Sequence, residues 1–555
     1  MRNKHSGAKL SVRAISGCHV VVLAWDMKQA ATQGLLGFAV ERAELKNGAI
    51  VERYWLRGIK RFEDKDKGLP PGTPVPTSEH PIQSFQWGDY TPTPDTDYRY
   101  RVVPVYGQPK NLELREADAE AVDIHSEPLY GSEHSVFFNR GVAGSQAYAR
   151  EFPNPRPHVE DPASPQMQWL SRGLYEALIE FIRRAKGQSW GLRAALYEFH
   201  YEPVGRAFKK AITDGADVKI IYDTPNYGPP NTKMVNKLKL ATHCIKRGNG
   251  GKQKHNKFIV LLKDGQPLEV WTGSTNISDG GIFGHSNVGH LVSNKALAKK
   301  YLDYWTALAN DPTIGALTPI DNGLSPTPAV AGKNDLIPLF SPRDAATLQW
   351  YANLMNGATE LACFMVAFTL AKPFETVIKQ ENDVLRYVLS DKRLTGSELV
   401  TKDKDAVFAA GSKFEKGALP TFLEEKLTGL NKNLYIHDKF MLLDPIGDDP
   451  TVITGSANFS PASQSGNDEN MLVIRSNQRV ADIYFGEFMR LFDHIYARYL
   501  ARKIKEEMAA KAKGKKQKAK PGSGFLKPGD FWVADHFAGG SKARRRQYFH
   551  GPWEN

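Results

Sequence analysis

One repeat constrains this chain more than any other feature. His255-Asn256-Lys257, followed by Gly273-Ser274-Thr275-Asn276, recurs as His437-Asp438-Lys439 and Gly455-Ser456-Ala457-Asn458. The copies lie 182 positions apart, and in both the serine follows the histidine by 19 positions and the asparagine by 21. The surroundings recur as well. Met167–Ala185 reads as an amphipathic helix, Trp190–Tyr197 as a strand, Val204–Asp214 as a helix and Val218–Tyr222 as a buried strand. His255–Leu262 and Leu268–Trp271 then read as a strand pair, and 296–308 as a closing helix. After a Pro/Gly/Thr-rich linker at 311–333 the order returns, with helices at 345–357, 374–380 and 479–501 and strands at 360–369, 384–389, 437–443 and 451–453. Two copies of one α/β unit, each with one motif, form an internal repeat.

The residue types in the motif suit one kind of chemistry. A phosphodiester carries a negative charge and a poor leaving group, so cleaving it takes donors and cations on the non-bridging oxygens, a nucleophile and an acid. A neutral imidazole is a good nucleophile near pH 7, and a second, protonated one can supply the leaving-group proton. With His and Lys at i and i+2 of a strand, ring and ammonium project from one face. The glycines (Gly273, Gly455) let the backbone approach closely, and Ser274, Asn276, Ser456 and Asn458 are expected to offer donors to phosphate beside Lys257 and Lys439. One copy makes half a pocket.

His-x-Lys, four residues, Asp, a spacer and Gly-Ser-x-Asn resembles the signature of the phospholipase D superfamily, over about 166–500. The second copy has every signature residue, including Asp444; in the first the Asp position is Leu262, with Asp264 two residues on. In that family the Asp is mainly a structural support. The resemblance also implies a carboxylate or amide after each motif that orients the histidine of the opposite half. These are Glu469 and Asn287, each 11 positions past the motif asparagine. A carboxylate raises histidine basicity where an amide only orients. The expected roles are therefore His255 as nucleophile, forming a phosphohistidine, and His437 as general acid and then base, with the reverse assignment open. No cofactor or metal is expected. His285 and His290 have no carboxylate at ligand spacing and read as pocket lining or structure.

Residues 1–125 read as all-β, with short alternating runs at 11–14, 19–25, 37–45, 51–55, 82–87 and 98–106 and turns such as Pro70-Pro71-Gly72. Trp25 at the end of an apolar strand, and Thr96-Asp97-Tyr98-Arg99-Tyr100-Arg101-Val102, resemble the core tryptophan and tyrosine corner of a fibronectin type III module. The expected fold is thus multidomain: an N-terminal β-sandwich (1–125), a connector (126–165), and a pseudo-twofold pair of α/β phospholipase D-like domains with mixed sheets flanked by helices (166–333 and 334–500). A basic, aromatic-containing tail (501–555) ends the chain.

Charge bears on the substrate. The net charge is +12, yet residues 501–555 hold 14 Lys and Arg against 5 Asp and Glu, and the other 500 residues hold 59 against 56. The basicity belongs to the tail, which carries a Lys511–Lys520 run and then Phe531-Trp532, Arg544-Arg545-Arg546 and Trp553. The basic run alone reads as a solvated helix extension or disordered tail, and the aromatics after it as a segment expected to dock on the protein's own body, an anionic membrane surface or a nucleic acid. A near-neutral body favours a phospholipid headgroup hydrolase over a nuclease, and a non-catalytic binding protein is the third reading. Trp271, Ile277, Ile282, Phe283 and Phe459 flank the motifs either as a lipid-facing rim or as packing beneath the site. Three scattered cysteines, Cys18, Cys244 and Cys363, form neither a disulfide framework nor a zinc spacing. No apolar run approaches the ~20 residues of a membrane span, and Val20–Trp25 is too short for a signal-peptide core. A monomer is expected, cytoplasmic or exported without a conventional signal.

Overall fold

The computed structural model describes residues 1–65, 68–69, 73–141, 148, 151–152, 157–249, 252–329, 331–368, 370–391, 405–411, 436–512 and 525–553. The expected turn at Pro70-Pro71-Gly72 and most of the Lys511–Lys520 run lie outside these residues.

Period-two alternation builds the N-terminal region. Strands β1 (Arg2–Ser6), β2 (Leu10–Ser16), β3 (Val21–Met27), β4 (Gly37–Lys46), β5 (Ala49–Trp55) and the short pair β6 (Arg57–Gly58) and β7 (Val75–Pro76) come first. β8 (Gln86–Asp89), β9 (Asp97–Gln108), β10 (Asn111–Leu114) and β11 (Glu120–His125) follow. One sheet runs β1-β2-β3-β8; the other runs β10-β9-β4-β5, with β11 also on β9. Val21, Leu23 and Trp25 of β3 meet Phe38, Val40, Tyr100 and Val102 of the second sheet in one core. The intervening Val22 and Ala24 point the other way, into a core shared with the α/β body. The Tyr98 hydroxyl accepts the Thr93 N–H at 2.9 Å, tying the start of β9 to the loop before it.

Among the described residues the body holds two seven-stranded sheets. The first uses β12 (His134–Phe138), β13 (Trp190–Leu196), β14 (Asp217–Asp223), β15 (Cys244–Arg247), β16 (Lys257–Lys263), β17 (Gln266–Gly273) and β18 (Val288–Val292). The second uses β19 (Leu336–Ser341), β20 (Leu361–Val366), β21 (Leu385–Ser390), β22 (Ala406–Ala410), β23 (Phe440–Leu443), β24 (Thr451–Gly455) and β25 (Glu469–Arg475). Their orders correspond position by position, β12-β18-β17-β16-β13-β14-β15 and β19-β25-β24-β23-β20-β21-β22. In each, the last three strands are parallel and the others antiparallel.

Each sheet is buried on both faces. Phe258, Val260 and Leu262 of β16, with Leu361, Cys363 and Met365 of β20, face a central core. That core also takes Tyr301, Tyr304 and Trp305 of α5 (Lys295–Ala309) and Tyr484, Phe488 and Phe492 of the long helix Gln478–Ala512. Ile259 and Leu261 face outward, under α1 (Pro165–Ser171), α2 (Leu174–Arg183), α3 (Glu202–Thr213) and α4 (Gly228–Lys237). Past α6 (Ile314–Leu324), helices α7 (Ala346–Asn356) and α8 (Lys372–Ile378) cover the outer face of the second sheet. Helix α9 (Pro461–Ser465) precedes β25, the long helix is α10, and α11 (Ser541–His550) ends the chain.

Several expectations need correction. The helix expected at Met167–Ala185 breaks into α1 and α2, because Arg172 (φ 54°) and Gly173 (φ 94°) both take left-handed backbone that no helix can continue through. The connector 126–165 contains β12, an edge strand whose apolar residues complete the first sheet. The linker 311–333 contains α6, which carries Pro319 inside it and buries Leu317. Helix α10 runs past the expected boundary at 500. The tail's last part docks on the protein itself: Trp532 enters the N-terminal core against Phe38 and Phe85, Phe549 enters the central core, and Arg546 and Arg544 pair with Asp26 and Asp405. Among the described residues no helix is long and apolar enough to cross a membrane.

Candidate active site

The two histidines do not sit on strands. β16 starts at Lys257 and β23 at Phe440, so His255 and His437 occupy the short extended segments leading into them. Those segments lie at the seam between the halves. Asp468 N–H donates to Gln253 O at 3.0 Å, Lys252 N–H to Gly466 O at 2.9 Å, and His437 N–H to Ser286 Oγ at 3.1 Å. Asn470 Nδ2 reaches Asn256 Oδ1 at 2.8 Å across the same seam, and the Arg247 guanidinium grips Asp468 at 3.0 Å. At the ends of β17 and β24, Gly273 (φ 132°) and Gly455 (φ 158°) lie so close to the next strand that a Cβ would come within 2.3 Å of Val288 O and Asn470 O.

Each histidine meets a residue of the other half. The Glu469 carboxylate lies 2.8 Å and 3.0 Å from His255 Nδ1, with both groups buried. Asn287 Oδ1 lies 2.8 Å from His437 Nδ1. The network fixes the second tautomer. Asn287 Nδ2 donates to Gly281 O at 2.6 Å, so its oxygen faces the ring, and an amide oxygen only accepts. Nδ1 of His437 therefore carries hydrogen, and its Nε2 is the reactive nitrogen. A carboxylate at His255 sets the same arrangement there.

Electrostatics separate the pairs. Burial pulls both histidines below their usual range. At His255 the Glu469 charge opposes this, whereas at His437 the charges of Lys439 and Lys257 add to it. Burial alone would raise Glu469, but His255 and Lys257 hold it low. Lys257 and Lys439 are also buried; burial brings Lys257 down to about 8 and Lys439 well below its ordinary value, partly through the other lysine. The carboxylates of Glu469 and Glu198 oppose this depression at both lysines. Their Nζ atoms donate to His255 O at 2.6 Å and His437 O at 2.5 Å.

The serines, expected on phosphate, sit one layer back. Ser456 donates to Glu469 Oε2 at 2.6 Å and Ser274 to Asn287 Oδ1 at 2.9 Å, so they brace the residues that brace the histidines. Asn276 is buried and Asn458 half-buried, each with a buried Oδ1 lacking a hydrogen-bond partner. Asp444 serves the backbone: its carboxylate accepts the Thr359, Glu360 and Leu361 N–H groups at 2.8–2.9 Å. Asp264 marks the corresponding hairpin turn (φ 51°) at the end of a longer strand. Trp271, Ile277, Ile282, Phe283 and Phe459 are all buried, which makes them packing beneath the site and not an exposed rim. His285 lies 5.7 Å from His437, and His290 bonds His134 and Tyr484 in the interior.

Sequence reasoning missed two features. Glu198, just past β13, accepts Asn276 Nδ2 at 2.7 Å and lies 3.6 Å from His200 Nε2. The Tyr197 ring stands edge-on to His255 at 4.7 Å and faces the Lys257 ammonium at 5.1 Å. Nothing local distinguishes this Tyr-Glu pair, because only the fold carries it to the motif. Among the described residues no group of three or more His, Cys, Asp or Glu is arranged to hold a metal.

Fold and site define a two-part α/β body with one histidine centre at its seam. Residues 178–308 and 389–492 match the family model described as cardiolipin synthase, PLD-like domain, so the chain carries a phospholipase D-like domain in two parts. Phosphatidylserine synthase of Haemophilus influenzae Rd KW20 is structurally similar at 13% identity, over 62% of this chain and 92% of that one, with a TM-score of 0.42. Polyphosphate kinase of Porphyromonas gingivalis is similar at 12% identity over 80% and 71%, with a TM-score of 0.38. A mutant of yeast tyrosyl-DNA phosphodiesterase is similar at 10% identity over 54% and 87%, with a TM-score of 0.34. No curated protein matches the sequence.

Proposed function

We propose that the protein is a metal-independent phosphodiesterase that hydrolyses phospholipid headgroups through a phosphohistidine. The observation that carries this reading is the crossed pairing of His255 with Glu469 and His437 with Asn287 beside two buried lysines. In the proposed cycle the Nε2 lone pair of His255 attacks phosphorus, and the P–O bond to the headgroup breaks as His437 gives the departing oxygen its Nε2 proton. Water then attacks the phosphohistidine, His437 takes a proton from it, and the P–N bond breaks to release phosphatidic acid and free His255. Lys257, Lys439, Asn276 and Asn458 hold the non-bridging oxygens. Glu469 stabilises charge on the attacking ring, and Asn287 orients the other without raising its basicity.

The Glu198 carboxylate, bonded to one of these phosphate ligands, favours lipid over a polyanion whose neighbouring phosphates it would repel. We also read the matching strand orders as two halves related by a pseudo-twofold axis, and residues 1–125 as a fibronectin type III-like sandwich that serves as a docking module. Incubation in EDTA with phosphatidylcholine or phosphatidylethanolamine vesicles, and separately with single- and double-stranded DNA, tests the reading. Free headgroup without DNA nicking is expected. DNA cleavage without headgroup release would replace this function with a nuclease.

A further inference from the structure

Three consecutive residues of the first half attend to His437. Ser286 Oγ accepts its backbone N–H at 3.1 Å, and Asn287 Oδ1 holds its Nδ1 at 2.8 Å. The third, His285, stands against the ring itself, 5.7 Å away centre to centre and tilted by 43°. His285 follows a single π-helical turn, Gly280–Gly284, and its backbone is fixed there. Its N–H donates to Gly280 O at 2.8 Å, and its carbonyl accepts Asn139 Nδ2 at 2.7 Å.

The second half has the matching triplet Asn467-Asp468-Glu469, and its first member has a different task. Asn467, like His285, lies nine positions past its motif asparagine. It donates to Glu469 Oε1 at 3.1 Å, so it braces the residue that holds His255. His285 is not needed for bracing. Asn287 is already fixed by Gly281 O on its Nδ2 and by the Ser274 hydroxyl on its Oδ1. An imidazole thus replaces an amide only on the side of His437, where the proposed cycle moves protons onto the departing oxygen and off the incoming one. Burial brings His285 down to about 4, with the charges of Glu198 and Asp279 opposing and that of Lys439 assisting. At neutral pH the ring is therefore uncharged, and one of its nitrogens is an acceptor.

We infer that His285 selects the acceptor in the second step: together with His437 Nε2 it holds a water by both O–H bonds, and so favours hydrolysis over transfer to an alcohol. This inference rests on the phosphohistidine cycle proposed above. Two nitrogens each about 2.8 Å from one water oxygen lie about 4.6 Å apart. Two imidazoles with centres 5.7 Å apart can supply that span. One water O–H gives its proton to His437 Nε2 as the oxygen attacks phosphorus and the P–N bond to His255 breaks. The other O–H stays on the product phosphate and donates to His285. An alcohol has only one O–H, and His437 takes its proton. The His285 acceptor then faces carbon, and a site built for two donors rejects a molecule that brings one.

Bis(p-nitrophenyl) phosphate in water containing ethanol tests this in one reaction. Hydrolysis gives p-nitrophenyl phosphate, and transfer gives its ethyl ester. Both arise from one phosphohistidine, so their ratio is independent of how fast that intermediate forms. The wild-type protein is expected to favour water over ethanol, mole for mole. His285→Phe keeps a ring and removes the acceptor, and the ratio of transfer to hydrolysis should rise about tenfold, the contribution of one buried hydrogen bond. His285→Gln restores an acceptor and should return the ratio most of the way to wild type. His285→Leu serves if H285F does not fold. Equal loss of both products at an unchanged ratio would make His285 only packing against His437 and overturn the inference. So would a wild-type protein that takes ethanol as readily as water. If the wild-type protein released no nitrophenol, the phosphodiesterase reading itself would fall, and this inference with it.

Discussion

Glu469 and His255 come from opposite halves of the body, and their contact at 2.8 Å is closed on the far side by the Ser456 hydroxyl at 2.6 Å from the same oxygen. The Asn467 amide donates to the other oxygen at 3.1 Å, so the carboxylate has one ring to serve and two donors to fix it. Glu469→Gln keeps the shape and removes the charge that stabilises a cationic, phosphorylated imidazole. We expect kcat to fall by on the order of 10²- to 10⁴-fold, with the fold unchanged. Loss of the Glu469 charge also lets His255 fall further below its usual range, so the acid limb of the kcat/KM profile should move to lower pH.

The role of each ring is read most directly by trapping. In a His437→Ala variant His255 still attacks, but the leaving group gets no proton and the phosphoryl group cannot be released efficiently. With an activated ester substrate, an acid-labile phosphoryl adduct on His255 should accumulate, seen by mass spectrometry of the intact chain. An adduct on His437 in His255→Ala, and none in the converse variant, would reverse the assignment.

Asn287 is the counterpart of Glu469, and its amide leaves His437 depressed by burial and by Lys439. As general acid His437 must be protonated, so in the free enzyme activity is lost as pH rises through its value. Asn287→Asp puts a carboxylate on Nδ1 and raises that value. The alkaline limb of kcat/KM should move up by about one pH unit or more. No movement would mean that this limb belongs to another group, with Lys257, at about 8, the next candidate.

The histidines, the lysines and the asparagines are legible in the sequence because chemistry and spacing coincide in both copies. The offset of 11 residues also located Glu469 and Asn287. What spacing does not encode is direction. Ser274 and Ser456 lie next to the phosphate ligands in the chain, yet their hydroxyls turn to Asn287 and Glu469 because the glycines before them press the backbone against the neighbouring strand. Glu198 was invisible because it reaches Asn276 only after β13 and β17 enter one sheet. The break at Arg172-Gly173 was hidden by apolar periodicity that continues through it. The docking of Trp532 depends on Leu35, Phe38 and Phe85, from the far end of the chain.

The middle residues of the two His-x-Lys motifs differ, and this has a consequence for stability. Asn256 is neutral and bonded to Tyr304 and Asn470. Asp438 is buried in the matching place, where burial and then the charge of Glu487 push it up to about 7. The folded carboxyl binds its proton more tightly than the unfolded one, so Asp438 subtracts stability as pH rises from about 4 to about 7 and by a constant amount above that. Asp438→Asn should therefore leave Tm nearly unchanged at pH 4 and raise the stability at pH 8 by on the order of 1–3 kcal/mol. Thermal melts at the two pH values check this.

Asp444 is a support by its contacts: three backbone N–H groups and the Thr359 hydroxyl converge on it at the start of β20. Asp444→Ala should cost about 1–3 kcal/mol, comparable to losing a helix cap with extra donors left unpaired. At temperatures where the variant is folded, kcat should stay within about twofold of wild type, because the carboxylate touches neither histidine. A large kcat loss in a fully folded D444A protein would move Asp444 from support to chemistry.

The last prediction concerns the far end of the chain. Trp532 donates its indole N–H to Leu35 O at 3.0 Å and packs within 6.4 Å of Phe38 and 5.6 Å of Phe85. Arg546 and Trp553 both bond Asp26, and Phe549 sits against Phe485 of α10. The segment thereby ties the N-terminal region to the body. Trp532→Ala removes a large buried ring and leaves the Leu35 carbonyl without its donor. We expect a loss of about 3–5 kcal/mol, read by denaturant unfolding, and faster proteolysis after Leu526. Headgroup release by the folded fraction should keep its kcat, since no residue of 525–553 bonds His255, His437 or their partners. A drop in kcat without a drop in stability would instead assign the C-terminal segment a part in the reaction.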